Sequence, residues 1–192
     1  MADPRVVQRA DADVEREWVA RIRAGESQAF EAMFAAYYAP LVAFAYGIVR
    51  SQDAAEELVQ DVFAWIWEAR AEWRVDGALG TYLYRAARNR ALNHARHGRI
   101  VDRAAALAAA AGRVLGTAGR SPRADDALDA NDIAARHRAV LAALPPRCRE
   151  AHVLNRQHGL AYPEIAKVLG ISVKAVEALL GRALRVLRAE LL

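Results

Sequence analysis

Four arginines, an asparagine and a leucine recur at helical spacing within TYLYRAARNRALNHARHGR, residues 81–99. At 3.6 residues per turn these side chains project within an arc of roughly 100°, and no acidic residue interrupts them. The members of this arginine row are Arg85, Arg88, Asn89, Leu92, Arg96 and Arg99. A guanidinium is a planar, permanently charged donor that suits phosphates. The segment therefore predicts a helix, from about residue 79 to about residue 97, that presents arginines to nucleic acid.

Three aromatic residues, Trp73, Tyr82 and Tyr84, lie just before the arginine row. Aromatic side chains beside arginines suit single-stranded nucleic acid, because each stacked base contributes about 1–3 kcal/mol. Unstacking a base from a duplex costs a few kcal/mol, so a few such contacts could hold a melted duplex open. Alternatively, each ring belongs to the core, with its polar tip hydrogen-bonded.

The C-terminal segment GLAYPEIAKVLGISVKAVEALLGRALRVLRAEL predicts a helix-turn-helix. A short helix from Pro163 to Leu169 meets a turn at Gly170, where glycine permits the left-handed backbone that a sharp turn requires. Ser172 then caps a second helix that begins at Val173. The predicted core between the two helices consists of Ile165, Leu169, Ile171, Val176 and Leu180.

The opposite side of the second helix combines charged residues with small ones, which allow close approach to a DNA groove. The candidate residues for duplex binding are Ser172, Lys174, Ala175, Glu177, Ala178, Gly181, Arg182 and Arg185. Glu177 could accept a hydrogen bond from a cytosine amino group, or form only a helix-surface ion pair with Lys174 or an arginine. The alternative for the whole segment is a helical hairpin with a solvated charged face.

Composition indicates an all-α protein. Hydrophobic residues, of which alanine is the most frequent, make up 55% of the 192 residues and aromatics only 7%, and alanine favours helix. The net charge of +4 fits an anionic partner, although a GC-rich genome would also produce the excess of arginine. The lone Cys148 cannot form an internal disulfide, and the N-terminus lacks an export signal, so the expected location is the cytoplasm.

Hydrophobic periodicity divides the chain into two helical domains. A first helix is expected to end at Gly25, a second to begin at Ser27 with an interruption at Pro40, and a third to run from Ser51 to Arg70. The uncharged stretch at residues 32–49 is expected to pack as buried helix rather than to cross a membrane. The predicted parts are a disordered N-terminus (1–13), an N-terminal domain (14–99), a flexible linker (100–132) and a C-terminal domain (133–192).

The third helix has more apolar surface than one core needs. Its predicted buried stripe consists of Leu58, Val62, Trp65 and Ile66. Phe63 and Trp67 lie off that stripe, so they either complete a broad buried face or bind a partner.

With these parts in order, the chain resembles the extracytoplasmic-function subfamily of the sigma-70 family, from about Ala29 to Leu191. AEELVQDVFAWIWEAR resembles the family's second region, whose helix docks on the clamp coiled coil of RNA polymerase. The resemblance implies polymerase-binding roles for Leu58, Gln60, Asp61, Phe63 and Trp67. The segment that carries the arginine row resembles the helix that recognises the minus-ten promoter element.

Further roles follow from the same resemblance. RVDGA, which contains Asp76, resembles the loop that captures a flipped base, so the minus-ten candidates are Trp73, Asp76, Tyr82, Tyr84, Arg85, Arg88, Asn89, Arg96 and Arg99. ALPPRCREAHVL with the helix-turn-helix resembles the fourth region, which contacts the minus-thirty-five element and the polymerase flap. Core polymerase and promoter DNA, duplex and melted, are the implied partners, and an anti-sigma factor is a further candidate. The chain departs from the family pattern at Glu177, Ala178, Leu179 and Gly181, which puts its upstream specificity in doubt.

Other function classes have less support. No phosphate loop, nucleophile elbow or zinc-type spacing of Cys and His occurs, so neither an enzyme, a cofactor, a metal site nor a small-molecule substrate is expected. The main rival is a helix-turn-helix regulator that binds duplex DNA without polymerase. A protein-binding adaptor is a third option, but the arginine row argues against it.

Overall fold

A computed structural model describes residues 11–111 and 139–191, with the backbone alone for residues 99, 101–111 and 191. The helices are α1 (Ala12–Arg23), α2 (Ser27–Val49), α3 (Gln52–Glu68), α4 (Leu79–Ala111), α5 (Pro146–Arg156), α6 (Tyr162–Leu169) and α7 (Val173–Leu191). Residues 139–143 are also helical, and these two stretches contain no strand. The predicted all-α fold is confirmed.

Helices α1–α4 form the N-terminal domain, in which α2 packs against the other three helices. Local signals set its helix ends. Asp11 caps α1 by accepting a hydrogen bond from the Asp13 amide, and the Ser51 hydroxyl caps α3 by accepting one from the Ala54 amide. Such caps satisfy backbone donors that a helix start leaves unpaired, and the predicted start of the third helix at Ser51 is confirmed.

Helix α2 differs from the prediction at Pro40, where the helix continues without a break. A proline inside a helix costs about 3 kcal/mol, and side chains on both sides of it, including Tyr37 and Leu41, are buried in the core. That packing offsets the lost hydrogen bond. By length and composition α2 could cross a membrane, but its contacts with α1, α3 and α4 agree with the expected burial.

Helix α3 buries most of its predicted stripe: Val62 and Ile66 are buried and Leu58 is half-buried, and only Trp65 departs from the prediction. Phe63 is only 2% exposed and packs on Phe30 and Phe34, with ring centroids 6.1 and 4.8 Å away. Trp65, which was expected in the core, is 46% exposed. Phe63 therefore completes a broad buried face, one of the two alternatives that the sequence left open, because aromatic side chains of α2 fill the space beside it. The direct polymerase contact that the resemblance implied for Phe63 is wrong for this structure.

We expect Phe63→Ala to lower the free energy of unfolding by about 3–5 kcal/mol, because the truncation leaves a cavity among packed rings. Urea unfolding of the full chain measures the change. Trp65→Ala is the matched control and should cost about 1 kcal/mol or less, since most surface substitutions cost little. Equal losses for the two variants would contradict the assignment of the buried face.

Helix α4 continues to Ala111, beyond its predicted end near residue 97. The first part of the predicted linker is therefore helical. Residues 100–111 contain alanine runs without proline, which suits helix continuation. The rest of the predicted linker, residues 112–132, and most of the predicted disordered N-terminus lie outside the described residues.

The C-terminal domain is built from α5, α6 and α7, with residues 139–144 beside α5. Cys148 of α5 is buried in a small cluster with Leu141, Leu144, Ala183 and Leu187. Pro146 begins α5, since proline suits the first turn of a helix. Among the described residues, the core of this domain is continuous with that of the first, because α6 packs directly on α4.

Candidate nucleic-acid interface

The exposed part of the arginine row lies on α4. Arg85, Asn89 and Arg96 are all exposed on the same side of the helix, while the core side buries Leu83, Ala87 and Ala91. The side chain of Arg99 lies outside the described residues, and Leu92 is half-buried. We call Arg85, Asn89 and Arg96 the exposed α4 face. It offers donors in the planar form that binds phosphates and base edges.

Arg88 does not belong to this exposed face. Its Nε donates a hydrogen bond to Oε2 of Glu150 on α5 over 2.6 Å, and the two side chains are only 8% and 11% exposed. The prediction that Arg88 faces nucleic acid is therefore wrong for this conformation. The ion pair joins residues 62 positions apart, a separation that helical periodicity cannot anticipate.

Two of the three aromatic candidates are core residues. Trp73 and Tyr84 are each 2% exposed, so neither can stack a base here, and the alternative prediction of core packing is correct for them. The predicted hydrogen bond of the polar tip is not found for Trp73, because its Nε1 has no partner among the described residues. Phe44 packs edge-on against Tyr84. Tyr82 is half-buried and makes an edge contact with Trp73, with ring centroids 5.9 Å apart. Tyr82 is thus the one of the three that is partly accessible.

The loop before α4 is held by a buried acid of α1 that the sequence did not single out. Glu15 accepts hydrogen bonds from the Tyr37 hydroxyl and, over 3.1 Å, from the backbone amide of Leu79 at the start of α4. A carboxylate at a helix N-terminus is favoured by the helix dipole. Asp76 is exposed in this loop, and Gly77 adopts φ +95°. The loop and α1 line an open pocket of about 490 Å³.

The helix-turn-helix has the predicted geometry. Gly170 ends α6 in the left-handed conformation, with φ +65°. Ser172 caps α7 by accepting a hydrogen bond from the Ala175 amide over 3.2 Å. The predicted core side chains are buried or, for Ile171, half-buried. At the start of α6, Glu164 accepts from the Ala161 amide over 2.8 Å and so satisfies a helix-end donor without a serine cap.

The predicted duplex-binding side of α7 faces solvent. Its exposed members are Ser172, Lys174, Glu177, Ala178, Arg182 and Arg185, and its half-buried members are Ala175 and Gly181. Among the described residues, no side chain lies within 4 Å of the position that a Cβ on Gly181 would occupy. The side chains toward the core are Val176, Leu180, Ala183 and Leu187. One side of α7 is therefore free for a groove while the other anchors the helix.

The solvent face of α3 includes Trp65, which was predicted to be buried. Its exposed members are Glu57, Gln60, Asp61, Ala64, Trp65 and Glu68, and they recur at helical spacing. Gln60 donates to the Tyr38 hydroxyl over 3.2 Å, and an Arg90 nitrogen lies 3.9 Å from an Asp61 carboxylate oxygen. The predicted residues Leu58 and Trp67 are half-buried. Trp65 lies at the same helical spacing as these polar residues, and that spacing could have identified it as exposed.

His158 follows α5 and inserts between aromatic rings of the N-terminal domain. Its ring centroid lies 4.8 Å from that of Tyr84 and 6.2 Å from that of Phe44. Within the described part of the chain, neither ring nitrogen has a hydrogen-bond partner. Burial lowers the pKa of His158 from 6.5 to about 4, because a low-dielectric site disfavours the charged form.

This burial predicts a pH-dependent stability. Below pH 6.5 the unfolded chain takes up a proton at His158 that the folded chain accepts only near pH 4, so stability falls as pH falls through that window. The loss should total about 3 kcal/mol. We expect His158→Leu to remove this part of the loss in urea unfolding at several pH values. His97 is exposed, and His97→Leu serves as the control. If His158→Leu leaves the pH dependence of the unfolding free energy unchanged, the assignment is refuted.

The described residues offer little support for a metal or cofactor site. Within 11–111 and 139–191, no three side chains of His, Cys, Asp or Glu converge on one point. Cys148 and His152 are both buried in α5, and Cys148 packs in the small cluster of the C-terminal domain.

Family comparisons match both halves of the chain. The family model for sigma-70 region 2 matches residues 33–100, and the model for sigma-70 region 4 matches residues 136–187. The first match covers α3 and the exposed α4 face, and the second covers the helix-turn-helix. Both matches agree with the order of parts that the resemblance implied.

Individual proteins agree along nearly the whole chain. RNA polymerase sigma factor CnrH of Cupriavidus metallidurans is 29% identical over 89% of this chain and 91% of its own length. The structure of CnrH in complex with the cytosolic domain of CnrY matches with a TM-score of 0.64 and 26% identity, over 92% of this chain and 96% of that one.

A second solved structure and a second curated relative extend the comparison. The sigma factor RpoE in complex with the anti-sigma factor NepR from Bartonella quintana, at 23% identity, shares the fold, with a TM-score of 0.57 over 84% of this chain and 96% of that one. RNA polymerase sigma factor CarQ of Myxococcus xanthus is 32% identical over 79% of this chain and 83% of its own length. The chain therefore belongs to the sigma-70 family of RNA polymerase sigma factors, in its extracytoplasmic-function group.

Proposed function

We propose that this sigma factor divides its work among three surfaces: α3 binds the clamp of core RNA polymerase, α4 with its preceding loop holds the melted minus-ten element, and α7 reads the minus-thirty-five duplex. The observation that carries the proposal is the exposed α4 face, Arg85, Asn89 and Arg96, on a helix that is otherwise anchored in the core. A rigid helix with exposed guanidiniums and an amide can contact both phosphates and base edges. Acidic side chains are absent from that face.

The loop at residues 74–78 gives the minus-ten surface a second element. Asp76 is exposed there, and Glu15 fixes the following helix start through the Leu79 amide. A loop anchored at one end can hold a base that has left the stack, provided that contacts offset the few kcal/mol of unstacking. We assign Asp76 and Tyr82 to this step. Trp73 and Tyr84 act as core support instead.

The polymerase surface is centred on Trp65. This ring is the large apolar side chain among polar and acidic neighbours on the solvent face of α3, and isolated aromatics of this kind often dominate interfaces. Gln60 and Asp61 flank it, and Leu58 and Trp67 border the same helix surface. Phe63 supports the face from inside the core.

The duplex-reading surface is the exposed side of α7. Lys174, Arg182 and Arg185 supply phosphate or guanine contacts, and the small residues Ala178 and Gly181 permit close approach. Glu177 either accepts a hydrogen bond from a cytosine amino group or forms an ion pair with a neighbouring lysine or arginine. Because α7 is fixed by its buried side, these contacts depend on the whole C-terminal domain.

We further propose that the chain acts in the cytoplasm, that it has no catalytic activity of its own, and that an anti-sigma factor regulates it. Relatives support the last point, since the named structures of CnrH and of RpoE are complexes with CnrY and with NepR. The rival is a helix-turn-helix regulator that binds duplex DNA without polymerase.

Promoter binding with and without core enzyme tests the proposal. Genomic promoter fragments are mixed with the purified chain alone, with core RNA polymerase alone, and with both, and retention is measured in gel-shift assays. We expect specific retention only with both components. Equal, sequence-specific binding by the chain alone would overturn the proposal in favour of the rival.

A further inference from the structure

One edge of α4 is covered by the C-terminal domain. Thr81, Tyr84 and Arg88 follow one another along this edge at three- and four-residue steps, adjacent to the exposed α4 face. Each of them meets a group of the C-terminal domain: the Thr81 hydroxyl donates to Glu164 over 3.2 Å, the Tyr84 ring packs on His158, and Arg88 binds Glu150. We call these three contacts the interdomain latch.

The chemistry of the latch resembles that of a nucleic-acid contact. Arg88 and Thr81 are donors beside the exposed α4 face, and a phosphate is the anion that such donors would bind in a nucleic acid. In this structure two carboxylates, those of Glu150 and Glu164, accept from them instead. A carboxylate and a phosphate present similar acceptor geometry to arginine. The C-terminal domain thus occupies positions beside the arginine row that DNA would otherwise use.

The two surfaces that the proposed function assigns to DNA are also held close together. The Lys167 ammonium of α6 lies 3.7 Å from the position that a Cβ on Gly77 would occupy in the loop before α4. The helix-turn-helix therefore lies beside the loop assigned to the melted strand. A melted strand that reached Arg88 from the exposed α4 face would have to displace α5, because the ion pair is nearly excluded from solvent.

We propose that the C-terminal domain is an internal competitor for the minus-ten surface, in which Glu150 takes the place of a DNA phosphate at Arg88 and keeps the unbound chain closed. This inference rests on the proposed function, because it assumes that the arginine row binds DNA. When the interdomain latch opens, Arg88 becomes available to bind DNA beside the exposed α4 face. Unpairing Arg88 inside the closed form leaves a buried charge without a partner, which strongly disfavours that form, so Glu150 controls the balance.

A charge swap tests the latch independently of transcription. Small-angle X-ray scattering of the full chain measures its radius of gyration. We expect the wild type to be compact, Arg88→Glu to be expanded, and the double variant Arg88→Glu with Glu150→Arg to be compact again. A wild type that is already extended, or a double variant as expanded as the single one, would overturn the latch.

DNA binding without polymerase then tests the competition. The probe is fluorescein-labelled single-stranded DNA of random sequence, measured by anisotropy. We expect Glu150→Gln to raise affinity roughly tenfold, because apparent affinity scales with the fraction of open chains, and we expect the exposed Glu190→Gln to leave it unchanged. If Glu150→Gln expands the chain without raising affinity, the competition is disproved.

The two measurements also separate this inference from the proposed function. Scattering reports the latch whether or not the chain initiates transcription. In one possible outcome, the charge swap restores the compact form but promoter fragments are not retained in the presence of core. That outcome would count against the proposed function and would overturn the competition. The closed packing of the two domains would remain established. Glu164 is a less suitable site for substitution because its carboxylate also caps α6.

Discussion

Trp65→Ala is expected to weaken the affinity for core RNA polymerase by roughly 30-fold or more, because a buried aromatic anchor at an interface contributes at least about 2 kcal/mol. The side chain is 46% exposed in the free chain, so its removal should leave the fold intact. Competition binding to core enzyme, with a labelled reference sigma factor, measures the change.

Two controls make this result specific. Tyr46 of α2 is exposed to a similar extent, at 43%, and Tyr46→Ala should not change the affinity for core. Unfolding curves of both variants exclude loss of structure. If Trp65→Ala binds core as tightly as the wild type, the solvent face of α3 is not the main polymerase surface.

Replacing the exposed α4 face with alanine, as Arg85→Ala, Asn89→Ala and Arg96→Ala together, is expected to reduce promoter opening by at least about 30-fold. Each lost contact to base or phosphate costs about 1–3 kcal/mol. The three side chains are exposed and have no role in the core, so affinity for core enzyme should be retained. Permanganate reactivity of unpaired thymines in the minus-ten region measures opening.

Arg88 is left out of this variant on purpose. Its replacement would remove the ion pair with Glu150 and would therefore change domain packing and DNA contact at once. Arg23 on α1 is also exposed, and Arg23→Ala should open the promoter normally. Wild-type permanganate reactivity in the triple variant would show that the exposed α4 face does not hold the melted strand.

Local signals in the sequence predicted local structure well. The helix-turn-helix, the turn at Gly170 and the caps at Ser51 and Ser172 all depend on residues within a few positions of each other. Such features follow from backbone conformation and short-range hydrogen bonds. The extent of α4 was underestimated because a row of alanines gives no clear end signal.

Predictions that depended on distant packing were less reliable. Phe63 and Trp65 are two residues apart on α3, and which of them is buried is decided by rings on α2. Trp73 and Tyr84 were ambiguous for the same reason, since an aromatic residue suits both a core and a stacking surface. The pairing of Arg88 with Glu150 joins the two domains, and no periodic pattern predicts a contact of that kind.

Reconstituted transcription on a library of promoter fragments shows whether the chain directs core RNA polymerase to specific start sites. Core RNA polymerase is supplied with the purified chain, and transcript 5′ ends are sequenced. We expect discrete start sites that share minus-ten and minus-thirty-five elements and that disappear when the chain is omitted or carries the alanine-substituted α4 face. Start sites identical to those of core enzyme alone would contradict this expectation.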